Sequence, residues 1–235
     1  MEAWYTVVKF FANGGVFMYP IVFVLALGVA ISIERYITLS LAAKKNRQTW
    51  GRLEPIVRGG DFEQARDIAG KDDSTIAQLL SAGLARQGAV RRREDVDRAM
   101  EETLMAIIPR LEKRTHYLAT FANMSTLAGL LGTIIGLIDA FTAVSNADVA
   151  DKAELLSASI SIGMNCTAFG LMVAIPLVLV HSLLQTKTTE LVDSLEMVSV
   201  KIVNSITERA RYVRPPQKSF EEPLMAQAEA TRTAA

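Results

Sequence analysis

Three long stretches without a formal charge decide what this chain can be. Phe10 to Ile33 and Thr115 to Ile138 are 24 residues each, and Leu155 to Thr186 is 32. About 20 apolar residues, rising 1.5 Å apiece in a helix, cross the roughly 30 Å hydrocarbon core of a bilayer. Nothing in that core hydrogen-bonds an open strand or loop, so each stretch must close its own backbone as a helix. The sequence therefore predicts an all-α membrane protein with three transmembrane helices, at 16–40, 115–142 and 157–185.

The formal net charge is zero, and its distribution orients the spans. Lys44, Lys45, Arg47 and Arg52 follow the first span. Arg110, Lys113 and Arg114 precede the second. Lys187, Lys201, Arg209, Arg211 and Arg214 follow the third. The connection between spans two and three carries Asp148, Asp151 and Glu154 against Lys152 alone, and the N-terminal segment has only Lys9. Lysine and arginine collect on the inner side. Segment 1–15 and loop 143–156 are thus expected outside, and the helical region 41–114 and the helix 186–214 inside. The start, MEAWYTVVKF, lacks a basic leader, so the first span reads as an uncleaved anchor. Trp4 and Tyr5 suit the membrane interface.

The internal region has helical punctuation. Gly59-Gly60 interrupts the pattern, and Asp61 is placed to cap the next helix. Asp72-Asp73-Ser74 opens another, with Ile76, Leu79, Leu80, Gly83 and Leu84 on one face and Gly88 at its end. From Glu94 the apolar positions Val96, Met100, Leu104, Ile107, Ile108 and Leu111 recur every three or four residues. No breaker but Pro109 intervenes, so this helix is expected to run into span two with a kink at the proline. Glu34 and Arg35, at the inner end of span one, read as interfacial anchors with a local ion pair. Arg91-Arg92-Arg93 reads as a solvated helix start near anionic headgroups rather than a nucleic-acid site. Leu191, Leu195, Val198, Ile202 and Ile206 continue a helical stripe after span three; Pro215-Pro216 ends it, and tail 215–235 has a disordered composition.

Spans two and three are more than lipid-soluble. Lipid tails are as apolar as leucine, so helices in a bilayer associate by close packing, and small residues let backbones approach. Span two reads GLLGTIIGLIDAF, with Gly129, Gly132 and Gly136 as packing candidates and Ala140 extending that side. In span three Ser159, Gly163, Thr167, Gly170 and Ala174 share one face; Ser157, Ser161, Asn165 and Ala168 share its neighbour. The two spans are expected to pair. Being antiparallel, they carry Thr133 and Thr167 to a similar depth. With Ser161 and Asn165 these hydroxyls could form a polar ring if several copies assemble. Cys166, the single cysteine, reads as a small buried hydrophobe.

No Asp, Glu, Lys or Arg lies mid-span; Asp139 is at the outer end of span two, and His116 and His181 are at inner ends. Proton pathways through a membrane usually need a titratable group, so a partner would have to supply it, unless the ion is Na⁺. No metal-ligand cluster, phosphate-cradling loop or intramembrane nucleophile–base pair is present, and neither enzyme chemistry nor a cofactor is expected. A non-conducting membrane scaffold is the reading of another class.

LLGTIIGLIDAF, the TAFGLMVAIP segment and the three-span layout with a helical internal domain resemble the MotA/TolQ/ExbB superfamily, in its ExbB and TolQ branch. The segment 59-GGDFEQARDIAG-70 is similar to the start of that family's cytoplasmic helical region. The resemblance implies a bacterial inner-membrane channel subunit forming a ring-shaped homo-oligomer, a pentamer, around a small single-span ExbD/TolR-like partner with an intramembrane aspartate. A TonB-like protein would receive the work. The family powers TonB-type outer-membrane transport, Tol-Pal envelope maintenance or a motility motor. It also implies that Thr133 and Thr167 line an ion pathway for H⁺, with Na⁺ as the alternative. By position, Asp139 and His181 read either as residues of the outer and inner mouths of such a pathway or as interfacial anchors. The pattern departs at Ile162, where some relatives have glutamate, and at Ser182, where some have asparagine.

Overall fold

A computed structural model describes residues 14–87, 93–148 and 150–212. The described residues form six helices: α1 (Met18–Gly59), α2 (Phe62–Gly70), α3 (Thr75–Gln87), α4 (Arg93–Glu112), α5 (Thr115–Asn146) and α6 (Lys152–Tyr212). The expectations for Trp4, Tyr5, Gly88, Arg91, Arg92 and the tail beyond Pro215 lie outside the described residues. Three helical stretches are long and apolar enough to cross a membrane: Met18–Gly59, Arg93–Ser145 and Lys152–Glu208. This is an all-helical, multi-pass membrane protein.

The chain divides into two compact units. The first comprises Met1–Arg47 and Met105–Ser194; the second comprises Gln48–Leu104 and Leu195–Ala235. In the first, the start of α1, all of α5 and the first part of α6 pack through Met18, Ile21, Leu118, Ala140, Cys166, Val173 and Leu177. Much of the remaining surface is apolar, as at Phe23, Leu127 and Leu183. That is what a hydrocarbon solvent requires. Pro20 sits in the first turn of α1, where its missing N–H has no intrahelical partner to lose. A Cβ on Gly28 would lie 2.6 Å from Leu177 Cδ2, so α1 and α6 approach closely there. A little further on, the Lys187 ammonium lies 3.9 Å from the Tyr36 ring centroid and donates to Ser40 Oγ at 3.3 Å.

The second unit is a water-type bundle. Leu53, Val57, Leu79, Leu80, Met100, Leu195 and Ile202 form its core. Gly60 has φ +73°, a conformation that disfavours side-chain-bearing residues by about 1–2 kcal/mol, and this lets α1 end and α2 turn back. Asp61 Oδ1 accepts the Gln64 amide at 3.1 Å, as expected of the cap. Ser74 Oγ accepts from Ala77 N at 3.2 Å, while Asp72 accepts from Ser74 N at 2.8 Å and from Thr49 Oγ1 at 2.7 Å. The predicted face of α3 is the buried one. Glu54 on α1 pairs with Lys201 of α6 at 3.3 Å and with Arg58 at 2.8 Å. The Lys201 hydrogen bond, ahead of the nearby charges, holds the Glu54 carboxyl below the usual carboxylate range.

The structure corrects the expectations for Pro109 and for the Glu34–Arg35 pair. Helix α4 does not kink into span two at Pro109. It continues helically through the proline to Glu112 and stops at Arg114, the one non-glycine with positive φ (68°) among the described residues. A left-handed arginine costs about 1–2 kcal/mol, so something other than local preference holds it. Two α1 residues meet the break. Arg35, expected at the interface, is buried; its Nη2 donates to the Leu111 carbonyl and its Nε to Thr115 Oγ1 at 3.3 Å. Glu34 pairs with Arg114 at 2.5 Å instead of with Arg35.

Candidate ion pathway

The candidate site grows out of the α5–α6 seam, where backbones touch. A Cβ on Gly136 would lie 3.1 Å from both Gly163 Cα and Ser159 O. On Gly163 it would meet Thr133 Cα at 3.0 Å, and on Gly129 it would meet Cys166 O and Thr167 Cα at 3.2 Å. On Gly170 it would come within 2.6 Å of the Ser125 carbonyl oxygen. These glycines are where they are because any side chain would push the helices apart. Gly132 faces the Cys166 side chain and the Phe17 Cβ. All five predicted packing glycines thus serve contacts within one chain. This is the expected pairing of spans two and three: the small faces of α5 and α6 are complementary to each other.

Inside that seam the two threonines meet. Thr133 Oγ1 and Thr167 Oγ1 are hydrogen-bonded to each other. Thr167 also donates to the Gly129 carbonyl at 2.8 Å, and Thr133 reaches the Gly129 and Gly163 carbonyls at 3.3 and 3.5 Å. Two hydroxyls and two main-chain carbonyls form a compact oxygen cluster. Both threonines are half-buried. Such a group relays a proton by hydroxyl rotation or coordinates a small cation, but it holds no charge of its own.

The other predicted residues do not join it. Ser161 is exposed and Asn165 half-buried on the adjoining face of α6, and no hydrogen bond ties them to the threonines among the described residues. Asp139 is exposed on α5, six residues or about 9 Å of helix rise beyond Thr133. His181 is half-buried on α6, about 21 Å of rise beyond Thr167. Neither reaches the cluster, as residues proposed for the mouths of a pathway would not.

Ser125 was not singled out in the sequence. It is buried, donates to the Phe121 carbonyl at 2.9 Å, and its own carbonyl abuts Gly170. Its signal is its place one turn before Gly129, which extends the small-residue row. Cys166 is buried against Gly132, as a small hydrophobe would be.

The site is thus a pair of hydroxyls set in a glycine seam between two spans of a multi-pass helical protein. Residues 71–197 match the MotA/TolQ/ExbB proton channel family. The chain belongs to this family and is a channel-type subunit of the ExbB/TolQ kind. An ExbB homologue from Methanothermobacter thermautotrophicus, named as a biopolymer transport protein, is 28% identical over 196 residues, covering 82% of this chain and 68% of the relative. The Tol-Pal system protein TolQ of Haemophilus influenzae is 37% identical over 90 residues, covering 38% of this chain and 39% of TolQ. The biopolymer transport protein ExbB of Aquifex aeolicus is 31% identical over 80 residues, covering 34% of this chain and 53% of the relative. The chain therefore aligns with well under two thirds of the length of these last two proteins.

Proposed function

We propose that this protein is the ion-channel subunit of an inner-membrane complex that converts proton-motive force into mechanical work across the periplasm, and that it energises TonB-type outer-membrane transport. The observation that carries the reading is the Thr133–Thr167 oxygen cluster in a seam where, among the described residues, no carboxylate or basic side chain lies at its depth. A hydroxyl cluster of this kind can hand on a proton but cannot store one at accessible pH. It therefore calls for a carboxylate from a second chain, the single span of an ExbD/TolR-like subunit. Copies of this chain, five by family resemblance, surround that span with their threonines toward it. Ser161 and Asn165 lie on the free face of α6 where such a lumen would run; Asp139 and His181 stand toward its outer and inner mouths.

In this reading the N-terminus is periplasmic and the C-terminus cytoplasmic, following the lysine and arginine distribution. Each elementary charge that crosses releases about 2.3 kcal/mol per 100 mV, and movement of the inner helices against the ring delivers it. Biopolymer transport is supported by the names of the Methanothermobacter and Aquifex relatives, and the Tol-Pal alternative by that of the Haemophilus one. Sodium is the alternative ion, for which four oxygens make a reasonable partial ligand set.

The test is Thr167→Val in the host, read by ion-driven uptake and by the mass of the complex. Loss of uptake with normal mass is the expected result. Full uptake with assembled complex would refute a pathway through the cluster. A complex of normal mass that contains no single-span acidic subunit would point instead to a scaffold or a sodium-specific channel.

A further inference from the structure

The break between α4 and α5 has no local cause. Its residues are Glu112-Lys113-Arg114-Thr115, without glycine or proline, and Arg114 makes no side-chain cap to α5. Pro109 is not the cause, because the helix runs on past it and the Lys113 amide still bonds the Pro109 carbonyl at 3.0 Å. What distinguishes the break is its company. A helix end leaves carbonyls unpartnered, and here one of them, that of Leu111, is taken by Arg35. The same guanidinium bonds Thr115 Oγ1, on the first residue of α5. Among the described residues Arg35 is the only charged residue that is buried. Its chain neighbour Glu34 holds the left-handed residue itself, Arg114.

We infer that Arg35 and Glu34 impose the break at Arg114, so that α1 decides whether α4 and α5 are two helices or one. In an unbroken helix the Leu111 carbonyl would belong to the Thr115 amide, and Arg35 would be a buried cation without that acceptor. With Arg35 in place, the carbonyl has a charged donor and the chain is free to turn. The pair are positioning residues: they touch no ion, but they set the direction and rotational phase with which α5, the helix of Thr133, leaves α4. The inference stands on these contacts alone and does not depend on which ion passes or what work is done.

The experiment measures the joint directly in the full-length protein in lipid. Spin labels are placed at Met105→Cys and Met124→Cys, both exposed positions flanking the break, in a Cys166→Ala background. An uninterrupted helix would separate these backbones by about 28 Å, nineteen residues at 1.5 Å each. The native sequence should give a distribution short of that value. Arg35→Gln combined with Glu34→Gln should move the main peak toward it, and adding Arg114→Gly, which accepts the left-handed backbone, should move it back. Glu34→Gln alone alters an exposed ion pair and leaves the buried site filled; it should at least double the long-distance fraction. The inference is overturned if both the single and the double variant keep the native distribution, since the break would then be set by the local chain. A second pair, Leu130→Cys with Leu171→Cys on α5 and α6, checks the fold; should it shift in the double variant, Glu34→Gln alone decides the outcome.

Discussion

Gly170→Ala should loosen the α5–α6 seam more than any other alanine replacement of a seam glycine that faces backbone. The new methyl carbon would sit 2.6 Å from the Ser125 carbonyl oxygen and 3.1 Å from Gly129 Cα. Both are main-chain atoms of a facing helix, so no rotamer change relieves the clash. To reach ordinary contact at 3.4 Å the helices must part by about 0.8 Å locally. Overpacking of this size costs about 1–3 kcal/mol. The retreat also stretches the Thr167–Gly129 hydrogen bond, now 2.8 Å and one turn away, whose net worth is about 0.5–1.5 kcal/mol. The total is about 1.5–4.5 kcal/mol, a factor of about 10 to 2,000 in the equilibrium between paired and separated helices. Steric trapping in bicelles, with biotin tags on α5 and α6, reads that equilibrium. Gly51→Ala is the control: Gly51 is in mid-helix on α1, outside the seam and with nothing within 4 Å, so alanine there should leave this equilibrium unchanged. If Gly170→Ala stayed within about 0.5 kcal/mol of native, the seam would be softer than its backbone contacts require. If instead it changed only the mass of the complex, the glycines would be serving copy-to-copy contacts after all.

Two further outcomes concern the second unit. Ser74→Ala removes the cap that accepts the Ala77 amide and should cost about 1 kcal/mol in chemical unfolding of that unit, with Ser74→Asp recovering most of it. The Glu54–Lys201 pair should make stability pH-dependent in a fixed direction. Because the folded carboxyl is held below its ordinary value, the contribution is complete above about pH 4.3 and fades as pH falls through the lowered folded value. Glu54→Gln should therefore narrow the gap between melting temperatures at pH 7 and pH 3; an unchanged gap would mean the ion pair does not survive in solution.

The sequence revealed whatever depends on near neighbours. Uncharged length announced the three spans, and spacing of three and four picked out the buried stripes of α3, α4 and α6. The Asp61 and Ser74 caps follow from side chains that bond amides three residues away. The pairing of Thr133 with Thr167 could be foreseen because both lie on small-residue faces of antiparallel helices. Other features depend on distant contacts. Arg35 finds its acceptors 76 and 80 residues away, and nothing in SIERYITL marks an arginine destined for burial. The break at Arg114 carries no glycine or proline, so a reader of the local sequence continues the helix. Periodicity placed Ser161 and Asn165 on a face next to Thr167 but could not say that α5 would take only the other one.

The glycine seam has a consequence for how the subunit can move. Side chains between packed helices normally offer alternative rotamers, and small shifts are absorbed by switching among them. Glycine has none to switch and none to lose on association. Where Gly129, Gly136, Gly163 and Gly170 meet backbone, α5 and α6 are therefore coupled like two faces of one plate: closer approach is blocked by main-chain atoms, and sliding must carry both. The side chains set into the plate, the two threonines and the cysteine beside them, are themselves held by hydrogen bonds and burial. Larger motion has to be taken up at its ends, as where α5 meets α4.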